Sequence, residues 1–239
     1  STSTDINTTF TVSPKPDAET VTVSVQDTCE DDTVTVTLTD SADTPNLVDG
    51  DYTLRYDISG AINTKNQIIV GVAVTNGTGS FDLPQAILAN GSSILTLTSI
   101  LNNASTCEAD NLTMPSAAFN IVATPDATGA VIRADDSCED AANNVTITTD
   151  PTLIQDGNYI LTYNLNNANA TTDTEVEVTF TDGKTTFDLT AAQLAEAGTT
   201  TITIISLATA SQSCAATGLP ISTDFEISPI PSLENTTLS

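Results

Sequence analysis

The chain has 239 residues, which is long for a single β domain and suits two domains of about 110 residues each. Thirty-one acidic residues face five basic ones, and the net charge of -26 predicts repulsion from nucleic acids and from anionic membranes. The sequence contains no histidine, the side chain that most often transfers protons and binds metals near neutral pH. Composition therefore argues against a nucleic-acid-binding protein and against an enzyme.

The first half of the chain consists of short segments in which apolar and polar residues alternate. Alternation over four to eight residues is typical of half-buried β strands. Asn76-Gly77 separates two such segments and predicts a tight hairpin, and PQAILANG, residues 84–91, predicts one helical turn. Seven strands in about 105 residues are typical of an immunoglobulin-like sandwich. The predicted strands cover residues 22–25, 33–38, 52–58, 68–75, 80–83, 94–100 and 119–122.

The second half repeats this series after about 107 to 109 residues. DGNYILTY, residues 156–163, matches DGDYTLRY, residues 49–56. We therefore predict an all-β protein of two tandem immunoglobulin-like β-sandwich domains of about seven strands each, residues 14–124 and 125–232.

Sequence outside these two copies predicts a longer array. TFTVSPKPDA, residues 9–18, resembles AFNIVATPDA, residues 118–127. We accordingly assign residues 1–13 to the end of a preceding repeat. Residues 233–239 are assigned to the start of a following repeat or to a linker.

Four cysteines occupy matched positions in the two copies. Cys29 matches Cys138, and Cys107 matches Cys214. Without histidine as a co-ligand, this pattern favours structural disulfides over a metal site or a catalytic thiol. Disulfides in turn predict a location outside the cytoplasm.

Two disulfide pairings remain open. Tandem domains usually fold independently, which favours Cys29 with Cys107 and Cys138 with Cys214. If five strands alternate in direction between the two cysteines of a copy, however, those cysteines lie at opposite ends of the sandwich. The alternative pairing then joins Cys29 to Cys214.

These motifs resemble the tandem Ig-like repeats of large flavobacterial (Bacteroidetes) cell-surface adhesins used in gliding motility. The resemblance is carried by a cysteine that opens the second strand, the DGxY strand and the second cysteine in the loop before the last strand. Tyr56 and Tyr163 stand where such repeats often carry Trp. It implies an extracellular, cell-surface protein whose partners are neighbouring repeats of the same chain, with surface glycans or proteins as candidate ligands. It also implies O-linked sugar at Thr33 and Ser41.

Several carboxylates recur in both copies and suggest a cation site. Asp27, Glu30 and Asp31 follow the first strand, and Asp126 lies in the linker, which a seven-strand sandwich places at the same end. Converging oxygen ligands suit Ca²⁺, so calcium is the candidate cofactor, and solvated turns are the alternative explanation. The sequence has no apolar run long enough to span a bilayer, and we predict no membrane insertion.

Two functions follow from this organisation. The repeats either form a stalk or filament, or they bind a carbohydrate or protein ligand themselves. The loop at residues 43–48 differs from its counterpart at 150–155, which favours the stalk because a repeated binding site should keep its contact residues. Four tyrosines, spaced by four on two strands, are assigned to the core in preference to a sugar-stacking surface: Tyr52, Tyr56, Tyr159 and Tyr163.

Overall fold

The computed structural model describes residues 15–231. The chain divides into two compact units, Ser1–Val122 and Ala123–Ser239, called unit 1 and unit 2 below. This division lies two residues before the repeat boundary that the sequence predicts. The assignments of residues 1–13 and 233–239 fall outside the described residues.

Unit 1 is built almost entirely of β strands. Its long strands bury alternate side chains, as the sequence pattern predicts, and residues 85–87 form the one short 3₁₀ helix of its described part. The strands are β1 (Val21–Val25), β2 (Thr28–Cys29), β3 (Thr35–Asp40), β4 (Gly50–Gly60), β5 (Thr64–Thr75), β6 (Thr78–Asp82), β7 (Gly91–Asn102), β8 (Cys107–Glu108) and β9 (Ser116–Val122).

Unit 2 repeats this arrangement with a 3₁₀ helix at Ala191–Gln193. Its strands are β10 (Val131–Ala134), β11 (Ser137–Cys138), β12 (Asn143–Thr148), β13 (Gly157–Asn167), β14 (Thr171–Phe180), β15 (Lys184–Leu189), β16 (Gly198–Thr209) and β17 (Ile221–Ser228). The predicted all-β sandwich class and the predicted helical turn in each copy are confirmed.

The strands of each unit form two layers of mainly antiparallel sheet. In unit 2 the layers are separate sheets, with the orders β10-β12-β15 and β11-β17-β16-β13-β14. In unit 1 the matching strands form one path, β1-β3-β6-β5-β4-β7-β9-β2, because β5 and β6 pair at Val74–Gly79 and Thr75–Thr78. The apolar face of each layer points into the core of its own unit.

The hairpin predicted at Asn76-Gly77 is present, and unit 2 repeats its turn at Asp182-Gly183. Asn76 and Gly77 have φ angles of 49° and 73°, and Asp182 and Gly183 have φ angles of 49° and 71°. Two successive left-handed residues define the type I′ turn, whose twist matches that of the flanking strands. Asn76-Gly77 therefore sets the register of β5 with β6, and Asp182-Gly183 connects β14 to β15, which lie in separate sheets, through the single bridge Thr181–Lys184.

The cysteine-bearing strands are the main departure from the expected topology. Cys29 does not open the second long strand, because it lies in β2, which pairs in parallel with β9, whereas β3 begins at Thr35. Cys107 likewise lies in a strand of its own, β8, which pairs with the end of β7. Both cysteines are thereby attached to the larger layer of the unit.

Candidate functional site

The first end of each unit, called the leading end, is closed by the residues that begin the unit. In unit 1 the N–H of Ala18 donates to the carbonyl oxygen of Asp110 at 2.9 Å, and the N–H of Asp110 donates to that of Pro16 at 3.0 Å. Unit 2 repeats both bonds at 2.9 Å each: the N–H of Ala127 donates to the carbonyl oxygen of Thr217, and the N–H of Thr217 donates to that of Pro125. The second cysteines, Cys107 and Cys214, lie at this end, next to the last residues of β7 and β16.

The opposite end, called the trailing end, carries the first cysteines. Cys29 pairs with Val122 at the end of β9, and Gly91, the first residue of β7, pairs with Ile121. Unit 2 repeats this arrangement, with Cys138 paired to Ser228. Each unit therefore holds one cysteine at its leading end and one at its trailing end.

This placement rules out a disulfide within a unit. β7 has 12 residues and spans about 36 Å from Gly91 to Asn102, whereas a disulfide needs Cα atoms within about 7 Å. The thiols of Cys107 and Cys138 are free, and Cys29 and Cys214 are each disulfide-bonded. The preferred pairing within each copy is therefore wrong, because strand alternation carries the two cysteines of a copy to opposite ends.

Two of the four predicted calcium ligands, Asp27 and Asp126, have hydrogen-bond partners in their own units, and the other two, Glu30 and Asp31, are exposed. Asp27 accepts a hydrogen bond from the N–H of Asn120 at 2.7 Å, and the matched Asp136 accepts one from the N–H of Glu226 at 2.9 Å. Both bonds attach the loop after the first strand to the last strand, which gives these carboxylates a structural role.

Asp126 is held in the same way at the start of unit 2. It accepts a hydrogen bond from the N–H of Thr128 at 2.8 Å, and the side-chain and backbone hydrogen bonds of Thr128 lower the pKa of Asp126. Within residues 15–231, no group of three or more Asp, Glu or Cys is arranged to hold a metal ion. Calcium binding by Asp27, Glu30, Asp31 and Asp126 stays a prediction, and a melting temperature unchanged by calcium and chelator would remove it.

The two predicted glycosylation sites differ in their surroundings. Thr33 is exposed in the loop before β3. Ser41 is also exposed, but its hydroxyl donates to the carbonyl oxygen of Thr20 at 3.0 Å. Modification at either residue stays a prediction.

Unit 1 has an open cleft of about 510 Å³ at its leading end. The polar side chains that line it already hold the fold together: Lys15 pairs with Asp110 at 2.9 Å, and Asp49 accepts from the N–H of Asn76 at 2.7 Å. Asn102 accepts from the N–H groups of the turn that follows it. The polar groups named here are therefore engaged in contacts that stabilise the surface turns of unit 1.

The four tyrosines belong to the core, as predicted. All are at most 4% exposed. Two of them attach their hydroxyl group to the backbone four residues earlier, since Tyr52 donates to the carbonyl oxygen of Val48 and Tyr159 to that of Gln155, both at 2.8 Å. Burial raises the pKa values of Tyr52, Tyr56 and Tyr159. These side chains are not available to stack on a sugar.

The sequence reasoning missed an exposed patch on the outer face of unit 1. Ile68 and Val70 on β5 are 49% and 69% exposed, and they pair with Arg55 and Thr53 of β4. Among the described residues, only Val74 and Thr75 of β5 pair with a strand on its other side. We call Arg55, Ile68 and Val70 the β5 patch.

The corresponding face of unit 2 is acidic. Glu175 and Glu177 of β14 are exposed and pair with Thr162 and Ile160 of β13, the positions that match Arg55 and Thr53. The β5 patch is therefore apolar and basic where its counterpart carries two carboxylates. A strand-by-strand comparison of QIIV with TEVE would have revealed this difference from sequence.

None of the helices in the described part of the chain has the length and apolar character needed to cross a membrane. No protein-family model matches the chain, and a search of curated proteins finds no relative.

Several solved structures align with the chain, and the comparison concerns its fold. The FN1–FN3 domains of chicken CNTN1 align with a TM-score of 0.50 and 11% identity over 90% of this chain and 68% of that chain. The Escherichia coli adhesin FdeC aligns at 0.48 and 13% identity, over 87% and 64% of the two chains. The Yersinia pseudotuberculosis adhesin InvE aligns at 0.34 and 15% identity, over 87% and 58%. At these identities the likeness to CNTN1 shows the fold alone, an immunoglobulin- or fibronectin-like β-sandwich.

Proposed function

We propose that this chain is a non-catalytic structural segment, a stalk or filament, of a large secreted cell-surface adhesin used for attachment or gliding. The observation that carries the proposal is that the polar contacts repeated in both units all support the scaffold. The leading-end bonds, the tyrosine bonds to backbone and the bonds of Asp27 and Asp136 to the last strand recur in unit 2. Structural contacts that recur from copy to copy are expected of a repeated spacer.

Location and partners follow from the chemistry of the chain. Disulfide-bonded cysteines persist in oxidising compartments, which supports an extracellular position. The net charge of -26 keeps like-charged repeats soluble and excludes polyanions as partners. The expected partners are neighbouring repeats of the same kind.

A binding screen tests the proposal that the chain is a spacer. The fluorescently labelled chain should show no saturable binding on a glycan array or to heparin, DNA and anionic vesicles at physiological salt. An unrelated labelled protein of similar net charge serves as the control for nonspecific adsorption. Saturable binding to one glycan class would contradict the spacer and favour the ligand-binding alternative.

The β5 patch favours a second function, recognition of a protein ligand by unit 1. An exposed edge strand with apolar side chains can pair with an extended peptide, whose backbone supplies hydrogen bonds while its side chains meet Ile68 and Val70. Arg55 on the same face would pair with a carboxylate of that peptide. The ligand of this alternative is an extended segment in which apolar and acidic residues alternate.

A matched pair of substitutions tests the peptide ligand. Val70→Glu places a carboxylate in the β5 patch, and Val131→Glu makes the same change at a residue of unit 2 that is 57% exposed. On an array of extended peptides that alternate apolar residues with Asp or Glu, we expect Val70→Glu to weaken binding at least tenfold and Val131→Glu to leave it unchanged. If the two substitutions weaken binding equally, or if the unmodified chain binds no peptide, the proposal that unit 1 recognises a peptide ligand is wrong.

A further inference from the structure

The two free thiols of the chain lie at opposite kinds of end, one at a leading end and one at a trailing end. Cys107 is a leading-end cysteine and Cys138 is a trailing-end cysteine. Their matched residues in the sister units, Cys214 and Cys29, are both disulfide-bonded. Each type of position is therefore able to form a disulfide, and one position of each type remains free.

The free thiols are also more accessible than their bonded counterparts. Cys138 is exposed where Cys29 is half-buried, and Cys107 is half-buried where Cys214 is only 2% exposed. The sulfur of Cys107 lies 3.5 Å from the carbonyl oxygen of Ser105, the acceptor of its weak thiol hydrogen bond. Cys138 is therefore open to a cysteine from another molecule, and Cys107 is partly open to one.

We propose that Cys107 and Cys138 are the disulfide sites by which this segment joins further copies of the same repeat. Cys138 bonds to the leading-end cysteine of a following copy, and Cys107 bonds to the trailing-end cysteine of a preceding copy. In a tandem array the chain leaves each copy at its trailing end and enters the next at its leading end, so the two complementary cysteines belong to the two ends that one linker connects. The inference concerns the covalent joint and holds for a spacer and for a ligand-binding array.

The bond-forming step needs an acceptor for two electrons and two protons. A small-molecule disulfide such as oxidised glutathione supplies it. The thiolate of one cysteine attacks glutathione disulfide and releases one glutathione, and the thiolate of the second cysteine displaces the other. Two protein thiols and one glutathione disulfide thus give one protein disulfide and two molecules of glutathione.

Mixing two variants of the full chain tests the complementarity. Cys107→Ser leaves only the trailing-end thiol free, and Cys138→Ser leaves only the leading-end thiol free. Each is held at about 1 mM, the effective concentration that a short linker provides, in oxidised and reduced glutathione at a salt concentration that screens the acidic surfaces. Circular dichroism verifies that both variants fold like the unmodified chain.

We expect the equimolar mixture to form disulfide-linked dimers at least fivefold faster than either variant alone. Peptide mapping of the dimers should recover the Cys107 peptide linked to the Cys138 peptide. The double variant Cys107→Ser/Cys138→Ser should stay monomeric. Equal dimerisation of each variant alone, or no dimer from a mixture whose thiols still react with iodoacetamide, would overturn the proposal.

Discussion

Replacing Asp40 with Ala should lower the free energy of unfolding of unit 1 by about 2–4 kcal/mol, because it removes a buried hydrogen-bond acceptor. Asp40 is only 5% exposed. Its carboxylate accepts hydrogen bonds from the hydroxyl of Thr20 at 2.6 Å and from the N–H groups of Ala42, Asn46 and Leu47 at 3.1, 2.6 and 3.0 Å. Without it, these donors lose their partner and the loop between β3 and β4 loses its anchor.

The effect of this substitution should depend on pH. Burial alone would raise the pKa of Asp40, but the hydrogen bonds from Thr20, Leu47, Ala42 and Asn46 outweigh burial and hold the pKa below its ordinary value. A carboxyl group whose pKa is lowered by folding stabilises the folded state above its unfolded pKa of about 3.9. That contribution disappears as the pH falls through the folded pKa.

Urea denaturation at several pH values measures both the loss of unfolding free energy and its dependence on pH. The difference between the unmodified chain and Asp40→Ala should be constant from about pH 5 to pH 7 and should shrink below about pH 4. Asp43→Ala, an exposed neighbour in the same loop, is the control and should cost less than about 0.5 kcal/mol. Equal costs for the two variants would show that Asp40 does not anchor the loop.

Tyr163→Ala should have the larger effect, a loss of about 3–5 kcal/mol of unfolding free energy in unit 2. Tyr163 is 3% exposed, and its ring centroid lies 5.3 Å from that of Phe187 in the opposite layer. Its hydroxyl also accepts a hydrogen bond from the Nε2 atom of Gln193 at 2.9 Å. Truncation leaves a cavity between the layers and an unpaired donor at its edge.

Hydrogen–deuterium exchange read by mass spectrometry localises this loss. Peptides from β13 and β16 should lose protection in Tyr163→Ala, while peptides from unit 1 should keep theirs. Tyr163→Phe keeps the ring and removes only the hydroxyl, so it should cost about 1 kcal/mol. Similar losses in the Phe and Ala variants would assign the stability to the hydrogen bond instead of to packing.

Local sequence signals were sufficient for the long strands and the hairpins. Alternation along β4 and β13 defines the buried face, and Asn76-Gly77 and Asp182-Gly183 define the turns because their left-handed conformations suit these residues. The strands β2 and β8 could not be predicted in this way, because two residues carry no periodicity. Their pairing depends on contacts with distant parts of the chain.

The candidate sites depended on the same long-range information. The carboxylate of Asp27 suggested a cation ligand in the sequence, but its partner is the N–H of Asn120, a residue 93 positions away. The error in cysteine pairing has a similar origin. Matched positions predicted disulfides at all four cysteines, but only Cys29 and Cys214 are disulfide-bonded, and Cys107 and Cys138 are free. The bonding depends on which end of the sandwich each cysteine occupies.

The acidic edge of β14 has a consequence for aggregation. Repeats of one array are held at high local concentration, and an unpaired edge strand can recruit the same edge of another copy into a continuous sheet. Glu175 and Glu177 oppose this in unit 2, because two such edges would place carboxylates against carboxylates. In unit 1 the bulge of β5 at Gly71, with φ of 77°, interrupts the edge, so a sheet cannot extend along the whole strand, whereas the segment that carries Ile68 and Val70 can still accept a short peptide. The two copies thus use charge in one case and an interrupted edge in the other to limit pairing between whole sheets.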